Sequence, residues 1–137
     1  MSSDMTERQP AEVVACLRDA INAHDLDAVV GCFAETFRSE LPAWPDGSFV
    51  GRETVRRNWG MLLSAIPDLK AEIVRHTVDG DTVWVEWEQT GTQPDGIPHL
   101  VRGMFIFGVQ DGLAQWNRFY LQPVQGGHPQ MLNEEPA

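Results

Sequence analysis

Thr82-Val-Trp-Val-Glu-Trp-Glu-Gln-Thr90, His99-Leu-Val-Arg-Gly-Met-Phe-Ile-Phe107 and Leu113-Ala-Gln-Trp-Asn-Arg-Phe-Tyr120 decide the fold. Each stretch alternates in polarity and is rich in β-branched or aromatic side chains, as a half-buried strand requires. Asp79-Gly80, Asp95-Gly96 and Asp111-Gly112 separate them. Asp-Gly marks tight turns because glycine accepts positive φ. The pattern predicts three antiparallel strands in a curved sheet with one face to cover.

The cover comes from upstream. Over 10–23, Val13, Val14, Leu17, Ala20 and Ile21 form one apolar stripe, and Pro10 suits a first helical turn. Asp25 can cap a short second helix carrying Leu26, Val29, Val30 and Phe33. His24 reads as a helix C-terminal residue. Residues 36–41 alternate weakly and predict a short strand, followed by a loop over 42–47 that holds two prolines. Residues 51–66 predict a third helix with Val55, Trp59, Leu62, Leu63 and Ile66 on its apolar face, stopped by Pro67. Residues 69–78 predict another strand. Helices grouped apart from antiparallel strands make an α+β fold. The expected division is a flexible N-terminus (1–9), one domain (10–125) and a flexible C-terminal tail (126–137). A curved sheet around helices leaves a cone with an open end, a natural small-molecule site.

At 137 residues the chain is long enough for one well-buried core. Its formal charge of −10 argues against nucleic acid and anionic membranes as partners. No apolar run reaches the length of a membrane span, and residues 1–10 lack the pattern of a secretion signal, so a cytoplasmic location is expected. Cys16 and Cys32 read as small buried apolar residues. No Cys or His spacing predicts a metal site, and no cofactor is expected.

The chain resembles the NTF2-like superfamily, and within it the SnoaL-like branch. The resemblance rests on Ala20-Ile-Asn-Ala-His-Asp-Leu-Asp27, Phe49-Val-Gly-Arg-Glu53, Gly80-Asp-Thr-Val-Trp-Val-Glu-Trp87, Arg102-Gly-Met-Phe-Ile-Phe107, Asp111-Gly112 and Arg118-Phe-Tyr120, and runs over about 10–124. It implies a cone of curved sheet around three N-terminal helices, a central pocket, and a homodimer through the outer sheet face. The fold hosts isomerases, cyclases, dehydratases, epoxide hydrolases and binding proteins, so it does not fix the activity. Relatives resembling limonene-epoxide hydrolase use an Asp-Arg-Asp set. Its positions fall here on Gln89, Trp87 and Phe119, which cannot do that chemistry.

The same resemblance implies which side of each strand faces inward. It turns Arg38 and Glu40 inward, then Val85, Trp87 and Gln89, then His99, Val101, Gly103 and Phe105, then Asn117, Phe119 and Leu121. Glu40 and His99 become the candidate catalytic base and acid, with Gln89 and Asn117 as donors to a developing oxyanion. Arg38, Trp44, Trp59, Trp87, Val101, Phe105, Phe119 and Leu121 become the candidate substrate contacts, with Trp44 over the mouth. Each has a plainer reading: Glu40 paired with Arg38 at an edge, His99 bonded at a strand end, the amides satisfying each other, the rings as core. Trp84, Trp116, Arg118 and Tyr120 have the opposite parity and become the candidate subunit interface. Three functions follow as expectations. The first is cofactor-free proton transfer on a hydrophobic carbonyl or epoxide metabolite, giving isomerisation, cyclisation or ring opening. The second is non-catalytic binding of such a molecule. The third is epoxide hydrolysis by a remodelled set of Glu40, His99 and Gln89.

Overall fold

The computed structural model describes residues 7–125. The expectations placed on 1–6 and on 126–137 lie outside the described residues. The helix α1 (Pro10–Asn22) buries Val13, Val14, Leu17, Ala20 and Ile21, the stripe expected of it. Asp25 caps α2 (Leu26–Val30) by accepting from the Ala28 amide at 3.1 Å. The chain then enters β1 (Phe33–Glu40) directly. Phe33 therefore belongs to a strand and not to the second helix, and Cys32 sits in the turn before it.

After β1 a short 3-10 turn (Pro45–Gly47) and a two-residue strand β2 (Phe49–Val50) lead into α3 (Arg52–Ala65). Four long strands follow: β3 (Lys70–Asp79), β4 (Thr82–Thr92), β5 (Pro98–Gln110) and β6 (Leu113–Pro123). The six strands form one sheet in the order β2-β1-β6-β5-β4-β3. Every neighbouring pair is antiparallel except β1 and β6, which run parallel. The result is an open, mixed, curved sheet with helices on its concave side, the α+β cone expected from the sequence.

Two features shape the concave side. Asn22 clamps α1 to β3: its Nδ2 donates to the Ala71 carbonyl at 3.0 Å and its Oδ1 accepts from the Ala71 amide at 2.7 Å. Gly103, at φ 152°, lets β5 press against β6. A Cβ there would meet the Tyr120 carbonyl oxygen and lie 2.8 Å from the Leu121 Cα, so only glycine fits. The core fills the narrow part of the cone, with Val83, Val85, Trp87, Phe37, Phe107 and Leu69 almost wholly buried.

Candidate functional site

On β4, β5 and β6 the inward residues are those the family resemblance implied. Val85, Trp87 and Gln89 are buried on β4, Phe105 on β5, and Asn117 and Leu121 on β6. Beneath them lies a hollow of about 300 Å³, at the small end for a ligand site. Phe33, Phe37, Phe105, Phe107 and Phe119 line it, with Leu17, Val101 and Leu121. The helix α3 contributes Val55, Asn58, Trp59 and Leu62, and β2 contributes Phe49. The rings pack edge-on, with Phe105 at 5.4 Å from Phe119 and 5.3 Å from Trp87 between centroids.

The polar groups on this lining are Ser39, Asn58, Gln89, His99 and Asn117. Trp87 does not line the hollow. Its side chain is fully buried behind the wall, and its indole Nε1 donates to Gln89 Oε1 at 3.0 Å. An indole N–H can only donate, so this bond fixes which way the Gln89 amide faces. Its Oε1 is used, and its Nε2 has no hydrogen-bond partner among the described residues. Asn117 is held in a similar way: Ser39 Oγ donates to its Oδ1 at 2.7 Å, both residues being buried. That again leaves an amide NH₂ without a partner among the described residues.

His99 is half-buried, and its Nε2 is shielded from water with no hydrogen-bond partner among the described residues. Burial pushes its pKa below the ordinary 6.5, because the charged imidazolium loses solvation. It is the one titratable side chain among the described residues lining the hollow.

Register divides the polar groups into two clusters. Gln89 pairs with Val101, and His99 with Gly91, so Gln89 and His99 are diagonal neighbours on one face. Asn117 pairs with Phe107, six residues further along β5, about 20 Å of straight strand. Both groups nevertheless line one hollow of about 300 Å³, so their side chains lie closer than this contour length. The four expected catalytic residues therefore do not meet at a single point: Gln89 and His99 share one end, and Asn117 joins Ser39 at the other.

Glu40 and Arg38 require a correction. Both lie on the other face of β1, away from the hollow. Glu40 Oε1 accepts from Arg118 Nη1 at 2.8 Å, its Oε2 lies 3.9 Å from Arg38 Nε, and its side chain is 41% exposed. The inward residues of β1 are Phe37 and Ser39. The register of β1 against β6 shifts between Phe33 and Arg38, and such an irregularity resets which side chains face the core. The set Glu40, His99 and Gln89 is thus not assembled, and neither is a Glu40–His99 acid–base pair. Trp44 is also displaced: it is 66% exposed on the loop before β2 and does not line the hollow.

Ser39, Asn58 and the phenylalanines of β1 escaped the sequence reading. Phe37 was itself the signal for β1, since its parity is the apolar one and Ser39 shares it. Of the two cysteines, Cys16 is partly buried and Cys32 is buried, and burial pushes the Cys32 thiol up to about 11, which keeps it protonated. Among the described residues no cluster of His, Cys, Asp and Glu could hold a metal ion.

The family model of the SnoaL-like domain matches residues 13–116. No curated protein matches the chain by sequence. Among solved structures, wild-type IdmH from Streptomyces antibioticus, a candidate polyketide cyclase, is 22% identical, with a TM-score of 0.72 over 83% of this chain and 92% of its own. A candidate SnoaL-like polyketide cyclase from Jannaschia sp. CCS1 is 26% identical, with a TM-score of 0.70 over 85% and 87%. A candidate isomerase from Bacillus subtilis is 18% identical, with a TM-score of 0.72 over 82% and 86%.

Proposed function

Since this chain belongs to the SnoaL-like domain family, we propose that it is a cofactor-independent enzyme that moves a proton on a small hydrophobic carbonyl compound held in the hollow. One observation carries the reading: in a largely apolar cavity, an imidazole and an amide NH₂ with unused hydrogen-bonding capacity are diagonal neighbours on one face of the sheet. His99 is the base. It takes a proton from the carbon next to the carbonyl, and the C–H electron pair moves onto the carbonyl oxygen. Gln89 Nε2 donates to that developing oxyanion. The imidazolium then returns the proton to another carbon, which gives an isomer, or the enolate carbon bonds to a second carbonyl carbon and the imidazolium protonates the resulting alkoxide, which gives a ring.

The depressed pKa favours this role, since the base form persists at and below neutral pH. Replacing His99 with Gln tests it. Turnover of a responsive carbonyl substrate falls by about 10²–10⁴-fold while binding stays within a few fold. Unchanged turnover in the variant overturns the assignment.

A second reading has its own support. Among the described residues no carboxylate lines the hollow, so the one imidazole there must serve as both base and acid. A non-catalytic binding protein needs neither. Its mark is saturable binding of a ligand that is recovered unaltered. To the same proposal belongs a homodimer through the outer sheet face, supported by the exposed Trp84 and Tyr120 there.

A further inference from the structure

The cavity has polar groups at both of its ends, and proton transfer at His99 uses only one. At the other end Ser39 and Asn117 are each more than nine-tenths buried. The Asn117 NH₂ has no hydrogen-bond partner among the described residues and is not shut off from the hollow, so a ligand that displaces its water must replace that bond or leave the donor unpaired. The Ser39 hydroxyl occupies Asn117 Oδ1 and so turns the amide's donor side away from itself. Between the ends the wall is aromatic: Phe37, Phe105, Phe107 and Phe119. The donor at the first end is the Gln89 NH₂, fixed by Trp87.

We infer that Ser39 and Asn117 form a second recognition point, and that the ligand is a flat, apolar molecule carrying hydrogen-bond acceptor oxygens at both ends. This rests on the hollow being the ligand site proposed above, and adds what the ligand must present there. The amide donors at the two ends would each meet a carbonyl or ether oxygen. A ligand with one such oxygen leaves one amide unpaired, and a purely hydrocarbon ligand leaves both. Discrimination of this kind arises because an unsatisfied buried donor is penalised, not because the extra bond is strong.

Naphthalene probes separate the possibilities by calorimetric titration of the intact chain. 2,6-Diacetylnaphthalene has an acceptor at each end, and 2-acetylnaphthalene has one. The wild type is expected to bind the diacetyl compound about tenfold more tightly, the larger side of what one completed buried hydrogen bond contributes. In the double variant Ser39→Ala/Asn117→Leu, which removes both partners, that ratio falls to near one. Asn117→Asp at pH 8 gives a second check, since it keeps the shape and loses the donors. Equal affinities in the wild type, or a ratio that survives in both variants, overturn the inference alone. His99→Gln should leave the ratio in place while abolishing turnover, so failure of the proton-transfer reading is seen separately. Absence of saturable binding by either probe overturns both.

Discussion

His99 is held neutral by its surroundings and by no charged partner, and this has two measurable consequences. As pH falls below 6.5, the ordinary value for histidine, the unfolded chain takes up this proton before the folded one does. The folded state binds fewer protons in that window, so stability declines as pH drops from about 6.5 through the lower folded-state value. Above 6.5 both states are neutral and the contribution is flat. Denaturant unfolding of the wild type and of His99→Gln at pH 5 to 8 should show this slope in the first and a smaller one in the second. The same proton should give kcat/KM an acid limb whose midpoint lies below 6.5. Glu40 makes the opposite case. It lies outside the hollow and pairs with Arg118 across exposed surface. Glu40→Gln is therefore expected to leave turnover within about twofold and to cost no more than about 1 kcal/mol of stability. Abolished turnover in that variant would mean that the carboxylate reaches the substrate after all.

At the level of the elements, legibility followed the strength of the alternation. The strands β4, β5 and β6 alternate over long runs between Asp-Gly turns, so each could be read as a strand, and the resemblance implied which of its two faces turns inward. The helix α1 declared itself by one stripe of five apolar residues, all of them buried. The strand β1 did not. Phe33 and Ala34 are both buried, Glu35 and Thr36 are both exposed, and alternation resumes at Phe37. No two-residue rule survives such a break, and the parity implied by resemblance turned Arg38 and Glu40 the wrong way. Ser39 was missed for that reason. The two-cluster arrangement was hidden for another: it depends on cross-strand register, which a single sequence does not print. Gly103 is where the element scale can be tested. Gly103→Ala forces a Cβ against the Tyr120 carbonyl at a φ that side chains avoid. It should cost at least about 1–3 kcal/mol of stability and disturb ligand binding, since Phe105 and Val101 flank the bend. An unfolding midpoint equal to that of the wild type would show that β5 relaxes without effort.

The whole molecule presents two contrasting sides. The chain as a whole is acidic, with a formal charge of −10. On the outer sheet face, however, Trp84, Met104, Trp116 and Tyr120 gather around Arg118 in one shallow depression. Trp84 and Tyr120 are each about two-fifths exposed, which is unusual for large aromatic side chains on a free surface. Sedimentation should therefore find a species of about twice the 15.3 kDa chain mass, and Trp84→Glu should convert it to the single chain. A wild type that sediments as one chain at high micromolar concentration would remove the pairing.

The parallel seam between β1 and β6 sets an order of events during synthesis. Residues 33–40 leave the ribosome long before the strand they must join, which lies at 113–123. Until that last strand emerges, Phe33 and Phe37 have no finished wall to pack against, and the nascent chain waits with its aromatic side uncovered. Such long-range closure slows folding and invites misassociation. Translation must therefore pass residue 123 before the cavity exists, and a message cut short before Leu113 yields a chain with no site at all.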